Sequence, residues 1–427
     1  MTRIRFLHAA DVHLDSPLCS LRSLDEATAS QLHRASRRSL ETIVQTAISQ
    51  KVAAVVFAGD LFDGPVKDAG AGLWVESQLK RLVREKIAVV LIRGNHDAVS
   101  NAQRVIHWSD GIHELSSDAP QTIRLDDARL AIHGQSFGAR AESTDLAATY
   151  PAAVMGYFNI GLLHTSLSGS SQHDSYAPTS IGLLESKGYQ YWALGHVHQR
   201  TEQSLSEKCW IGYCGNTQGR HVRECGVKGC YLVSVEDNHI EKMEFVPTDS
   251  LRWQLLSIDL RNAQRLSDIE DLVEDALSPL LGSTRSDGVA LAVRLHLEGN
   301  TALHAELTQP ATVERLSDAL ALRIHEFADV WLESVKIRTH PAKMMTNADL
   351  DLPLKYLSLV TDEVREDAKL QKEMWSELDE LLKKARVELT EVDWPLLRDA
   401  DRDTELLNMV SQAEDLLVSR LVRAGEA

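Results

Sequence analysis

The sequence predicts an α/β fold for its first part, then a small α+β domain and a helical tail. Three observations carry this expectation. Short apolar runs recur through the first 235 residues. Polar, helix-favouring segments lie between them. Several of the runs end in glycine or in a residue type able to bind a ligand, Asp, Asn or His.

The runs are IRFLHAADVH, AAVVFAGD, IAVVLIRGNHD, NIGLLH and YWALGH. Stretches rich in Val, Ile, Leu, Ala and Phe and bounded by glycine read as buried strands. Between the first two lies LDEATASQLHRASRRSLETIVQTAISQ, and between the second and third WVESQLKRLVREK; both space apolar residues as helices do. This βαβα order predicts packed sheets with flanking helices, and ligand-binding loops beyond the strands' C-terminal ends. After FVPTDSLRW the texture changes. WQLLSIDL, GVALAVRLHLEG and VWLESVKIR read as strands, with helices LSDIEDLVEDALSPLL and TVERLSDALALRIHEFA between them. From Leu352 the chain reads as helical, with Leu357, Val360, Val364, Trp375, Leu378 and Leu382 as its apolar face. After VDWP comes a further amphipathic stretch, LLNMVSQAEDLLVSRLV. So little helix cannot bury much apolar surface alone; the tail packs on its own protein or on a partner.

With 44% hydrophobic and 25% charged residues the composition is that of a soluble globular protein. The N-terminus MTRIRFLHAADVHLD is no signal peptide, and no apolar run is long enough to span a membrane, so a cytoplasmic location is expected. Cys209, Cys214, Cys225 and Cys230 have spacings that match no usual zinc pattern, and they read as reduced thiols. The net charge of −17 argues against a nucleic-acid partner, but it is unevenly spread. Residues 1–250 carry 24 basic against 28 acidic side chains, and residues 251–427 carry 21 against 34. Of the 17 histidines, 13 fall in the first 250 residues, so chemistry is expected there.

The strand ends supply it. His196 and His198 in GHVH, like Asp11 and His13 in ADVH, stand at i, i+2, which in extended chain turns both side chains to one side. Asp60, then Asn95, His96 and Asp97, then His164, end the other runs. Asp and Asn have dull uses as caps and turn starters, but five strand ends all carrying N or O ligands point to metal. Asp11, His13, Asp60, Asn95, His164, His196 and His198 are too many for one ion with open positions. Two divalent ions roughly 3.5–4 Å apart would fit, with Asp60 as the bridge. Imidazole, carboxylate and amide donors without thiolate suit manganese, iron or zinc. His96 is left over as a group able to protonate a leaving alkoxide or stabilise transition-state charge.

In this order D-x-H, GD-x-x-D, GNHD, a lone His and GH-x-H resemble the calcineurin-like metallophosphoesterases. Within that superfamily HAADVHLDSPL and GDLFD look like the double-strand-break repair nucleases of the SbcD type, and HTSLSGSSQHDSYAP and GNTQGRH look like their YhaO-like bacterial branch. The resemblance implies a four-layer sandwich, two mixed β-sheets flanked by helices, over residues 1–250. It further implies a capping domain over 251–340 and a partner-binding helical tail over 341–427. One metal, most simply manganese, would be held by Asp11, His13, Asp60 and His198, the other by Asp60, Asn95, His164 and His196. His96 would be the catalytic histidine, oriented by Asp63 or Asp97. His173, Tyr176, Arg220 and His221 stand as contacts for phosphate or base, or as plain surface loop. Where the YhaO-like branch reads YPGN, this chain has Tyr213, Cys214, Gly215 and Asn216, without the stiffening proline. The implied function is a DNA exonuclease subunit in repair, working with an SMC-like ATPase of the SbcC type or YhaN-like, with dimerisation implied by resemblance alone. The alternatives are a small-molecule phosphodiesterase or phosphatase, and a structural subunit that binds DNA or the ATPase.

Overall fold

The structure, a computed structural model, describes residues 3–16, 34–63, 69–99, 108–167, 176–206, 209–342 and 352–389, with scattered positions between 406 and 418. Three parallel strands form the middle of a first sheet: β1 (Arg3–Ala9), β2 (Ala54–Ala58) and β3 (Ala88–Ile92). β2 and β3 read as unbroken apolar runs because both of their faces are covered, and β1, which opens on Arg3 and Arg5, is buried from Phe6 to Ala9. Val55 and Phe57 pack with Leu7 and Val89 against Leu40, Ile43 and Val44 of α1 (Ala35–Gln50) and Val75 and Leu79 of α2 (Ala69–Arg84). Val56, Phe6 and Val90 point the other way, against Ile132, Ile160 and Tyr191 of a second sheet.

Short β4 (Ile112–Glu114) closes one edge of the first sheet. The second sheet has the order β5-β6-β7-β8-β10-β9, from β5 (Gln121–Leu125), β6 (Leu130–Gly134), β7 (Phe158–His164), β8 (Tyr191–Gly195), β9 (Thr201–Ser206) and β10 (Cys209–Tyr213). Its far face buries Trp192, Leu194 and Ile211 with Tyr150, Tyr189 and Leu184, the last from α3 (Ile181–Ser186). Antiparallel β11 (Gly229–Glu236) and β12 (His239–Pro247) complete the first sheet as β12-β11-β1-β2-β3-β4. The result is two mixed sheets packed face to face and flanked by helices. Each fully buried Val, Leu or Phe in such a core contributes about 1.5–3 kcal/mol.

A third sheet follows, β13 (Leu251–Asp259), β14 (Ala290–Thr301) and β15 (Val330–Pro341), with helices α4 (Leu266–Asp287), α5 (His304–Leu307) and α6 (Pro310–His325). α4 runs on past Pro279 to Asp287, six residues beyond the end that the apolar spacing suggests. The tail holds α7 (Leu352–Glu366) and α8 (Ala368–Leu389). Its helix is interrupted at Asp367, whose carboxylate accepts from the amides of Lys369 and Leu370 at 2.8 and 3.2 Å and so caps a new start. By compactness the chain falls into two units: Met1–Leu256 with Ser278–Arg294 and Ile324–Ser334, and Ser257–Leu277 with Leu295–Arg323 and Val335–Ala427. No helix among the described residues is long and apolar enough to cross a membrane. Cys209, Cys214, Cys225 and Cys230 are all free thiols.

Candidate metal centre

The loops beyond β1, β2, β3 and β8, with the last residue of β7, converge on one site. The extended geometry expected for the i, i+2 pairs is not what brings the ligands there. β1 ends at Ala9 and β8 at Gly195, and Asp11, His13, Asp60 and His196 take positive φ values of 50°, 44°, 51° and 96°. Left-handed backbone at a non-glycine residue costs of order 1–3 kcal/mol and persists only where surroundings over-determine it. Here a ladder between loops does so: the amides of Asp11, His13 and Leu14 donate to the carbonyls of Gly59, Asp60 and Leu61 at 3.1, 3.0 and 3.0 Å. The turn at each loop re-aims the second member of the pair. His13 and His198 therefore face each other, Nε2 to Nε2, at 3.1 Å, while the rings of His196 and His164 stand 5.2 Å apart.

Three overlapping donor groups result: Asp11, His13 and His198; His13, Asp60 and His96; and Asp11, Asp60 and His164. Asp60 lies between two of the imidazoles, its Oδ2 3.4 Å from His164 Nε2 and 3.9 Å from His13 Nε2. Its Oδ1 accepts from the His96 amide at 2.9 Å. His164 Nδ1 donates to the Ala58 carbonyl at 2.9 Å, so the Nε2 of the neutral ring carries a lone pair. That lone pair faces two acceptors, Asp60 Oδ2 and, at 2.9 Å, Asn95 Oδ1. Acceptors facing one another in a buried site need a cation or a proton between them. The opposed Nε2 atoms of His13 and His198, 3.1 Å apart, can share one hydrogen or turn both lone pairs to a cation. The donor set thus fits divalent metal, with oxygen and imidazole ligands and their outer hydrogen bonds in place. Asp11 is held by the His196 amide, which donates to both of its oxygens at 3.1 and 3.0 Å.

Electrostatics describe the metal-free state consistently. Burial pushes the Asp11 carboxyl up to about 6 and, with Arg220 nearby, pushes His13 down to about 3. Burial also opposes charge on His164 and Asp60, but each stabilises the other. His164 rises to about 9, and Asp60 stays well below the usual carboxylate range. A proton on His164 thereby occupies the electrostatic place of a cation.

His96 stands at the edge of the cluster, with 34% of its side chain exposed against 1% for His13 and none for His164. Its Nδ1 lies 2.8 Å from Asp63 Oδ1. Asp97 is occupied elsewhere: its oxygens accept from the amides of Leu61, Phe62 and Gly94 at 3.1, 2.8 and 3.2 Å, fastening one ligand loop to another. Gly94 and Gly59 are required by space. A Cβ on Gly94 would run into Asp60 Oδ1 and His164, and one on Gly59, at φ +92°, would meet His164 Nδ1 at 2.5 Å.

Tyr176 places its ring 5.2 Å from that of His196. Arg220 reaches Asp63 Oδ1 at 3.7 Å, and His221 Nε2 lies 3.6 Å from Glu224 Oε1. His173 lies outside the described residues. The loop at Cys214 and Gly215 is fastened without proline: Tyr213 Oη donates to the Thr165 carbonyl at 3.0 Å, and the Asn216 amide to the His198 carbonyl at 3.4 Å. One residue escapes the sequence motifs altogether. Glu224 is buried, and its Oε1 accepts from His198 Nδ1 at 2.7 Å. The available signal was an acidic residue inside the basic stretch RHVRE, four positions after Arg220.

Strand-end ligands beside two packed mixed sheets place the chain among the calcineurin-like phosphoesterases, whose family model matches residues 4–200. A second family model, the middle domain of metallophosphoesterase YhaO, matches residues 253–340. The metallophosphoesterase YhaO of Bacillus subtilis is 35% identical over 354 residues, 82% of this chain and 85% of that one. The chain belongs to the YhaO family of calcineurin-like metallophosphoesterases. The DNA double-strand break repair protein Mre11 of Methanopyrus kandleri is 26% identical over 275 residues, 58% of this chain and 57% of that one. A solved dimetal phosphatase from Danio rerio is similar with a TM-score of 0.38 at 12% identity, over 57% of this chain and 96% of that one.

Proposed function

We propose that this metallophosphoesterase hydrolyses phosphodiester bonds in DNA as an exonuclease subunit, with two divalent ions and an SMC-like ATPase as partner. The observation that carries the hydrolytic reading is the contrast between the buried ligand cluster and His96, part-exposed at its edge and paired to Asp63. One ion is assigned to Asp11, His13, Asp60 and His198, the other to Asp60, Asn95, His164 and His196, with manganese the expected metal. When bound, the ions would neutralise phosphoryl oxygens and acidify a water. His96, held through Nδ1 by Asp63, presents its other nitrogen to the leaving alkoxide and gives it a proton. Similarity to an Mre11 named for double-strand break repair supports DNA as the substrate. The resemblance to SbcD-type chains supports the ATPase partner.

The test is cleavage of linear duplex and single-stranded DNA, with bis-p-nitrophenyl phosphate alongside, by wild type and His96→Ala in manganese. His96→Ala is expected to keep its metal and lose about 10²-fold or more in rate, as for removal of a general acid. Loss of metal in that variant would make His96 a ligand instead. Cleavage of the small ester with DNA untouched, even with the ATPase added, would leave a small-molecule phosphodiesterase.

A further inference from the structure

QGRHVRE (Gln218–Glu224) folds back beside the metal centre and ends in a short turn, Val222–Glu224. Only 7% of the Glu224 side chain is exposed. A carboxylate taken from water to that extent needs a donor for each lone pair. Its surroundings supply them. Oε1 faces His198 Nδ1 at 2.7 Å and Arg220 Nη2 at 3.3 Å; Oε2 accepts from Asn216 Nδ2 at 2.8 Å and from the Arg220 amide at 2.7 Å. Two acceptors do not approach to 2.7 Å, so His198 Nδ1 carries the proton and Nε2 the lone pair. Arg220 then extends the connection. Its Nη1 lies 3.7 Å from the Asp63 oxygen that holds His96.

We propose that Glu224 is the positioning residue of the centre: it fixes His198 as an Nε2 donor and, through Arg220, links that ligand to the Asp63–His96 pair. The inference rests on the two-metal reading of the site. A carboxylate behind a ligating imidazole fixes its tautomer and orientation and raises its basicity; losing such a partner typically costs 10–100-fold in metal affinity. Here the same carboxylate also holds the cation that approaches the carboxylate behind His96. The ligand and the proton donor therefore share one anchor, with Arg220 between its two acidic ends.

Glu224→Gln is the informative change because every polar neighbour of the carboxylate is a donor. If the new amide turns its NH2 toward His198, Nδ1 must become the acceptor, and Nε2 then carries hydrogen where a lone pair is needed. If it turns the NH2 the other way, Asn216 and the Arg220 amide face a donor.

The full-length metal-free protein would be titrated with manganese, with free and bound ion read by electron paramagnetic resonance. Wild type is expected to bind two ions with a coupled dinuclear signal. Glu224→Gln should keep one ion at wild-type affinity, lose about 10–100-fold at the other, and lose the coupled signal. The retained ion reports that the domain has folded. Two ions bound as in wild type would overturn the proposal. Loss of both would also overturn it, since Glu224 would then hold the fold rather than one ligand. Arg220→Gln tests the second leg. It should keep both ions and lower kcat for bis-p-nitrophenyl phosphate by about tenfold or more, because a misplaced His96 no longer stabilises transition-state charge even where the nitrophenolate needs no proton. A rise in KM with kcat unchanged would make Arg220 a substrate contact and remove it from the link. Neither the titration nor the kinetic test involves DNA, so failure of the nuclease assignment leaves this inference standing. A wild type that binds a single ion would sink the two-metal reading and the inference with it.

Discussion

Asp63 and Asp97 flank the same ligand loops, and their oxygens do different work. Asp63 gives one oxygen to His96 Nδ1 at 2.8 Å and brings it within 3.4 Å of His13 Nδ1. Asp97 satisfies three buried amides. The two should therefore fail differently. Asp97→Ala strands those amides, and an unsatisfied buried donor costs about 1–3 kcal/mol. It should lower the thermal unfolding midpoint of the metal-free protein, whereas Asp63→Asn should leave that midpoint near wild type. Burial disfavours the His96 imidazolium, but the bond from Asp63 and the charge of Asp60 hold its pKa above the ordinary value. A proton donor is active below its pKa and fails as pH rises through it. Removing the Asp63 charge should thus move the alkaline limb of the pH–rate profile to lower pH. A limb that stays in place would detach Asp63 from His96. The candidate ligands were legible in the sequence because each sits on a strand-end motif. The choice between Asp63 and Asp97 was not, since either is near enough in the chain and only the amides of Leu61, Phe62 and Gly94 decide it. Glu224 left only the faint signal of an acid in a basic stretch, and nothing local ties it to His198 until two loops meet.

At the scale of elements, β1, β2, β3, β7 and β8 were legible, while β4, β6 and β10, which also pair in parallel, and the antiparallel strands of the first 250 residues were not. β2 is apolar at every position because helices cover one face and the second sheet the other. β9, TEQSLS, is exposed along most of its length and offers no apolar run. β12 alternates only weakly, and in β11 the run is diluted by Gly, Cys, Tyr and Ser although seven of its eight residues are buried. The loops beyond the strands carry the centre, and their geometry depends on what little they contain. Gly94 leaves room for Asp60 and His164 to approach. Gly94→Ala should push both aside. Overpacking of this kind costs about 1–3 kcal/mol in a packed core, and here the displaced atoms are ligands. The expected outcome is a folded protein whose manganese affinity falls in titration while β-sheet circular dichroism is unchanged. Unaltered affinity would mean that the loop yields without moving the ligands.

Charge separates the molecule along its length. The segment 251–427, with 21 basic against 34 acidic side chains, is poorly suited to phosphate contact, while residues 1–250, at 24 against 28, are near balance. Two divalent ions would cancel the remaining deficit of the first segment, so a phosphoester substrate would be drawn to the metal loops rather than to the tail. The tail has another use for its surface. On α7, Thr361 and Val364 are buried, as are Leu406 and Val410 of the last segment, and Arg365 reaches Glu414 at 2.5 Å. The tail thus has apolar side chains of its own to bury, yet Tyr356, Leu359 and Val360 remain 63%, 58% and 55% exposed at spacings of three and four residues on α7. Residues so spaced share one helix face, and these three leave apolar surface there that a partner protein could cover. If the SMC-like ATPase docks there, Leu359→Asp with Val360→Asp in the full chain should abolish its co-purification. Manganese content and hydrolysis of bis-p-nitrophenyl phosphate should stay at wild-type levels, because the metal ligands all lie before residue 200. An ATPase that still co-purifies would move the partner site off this helix, and a simultaneous loss of metal would show that the changes had reached beyond it.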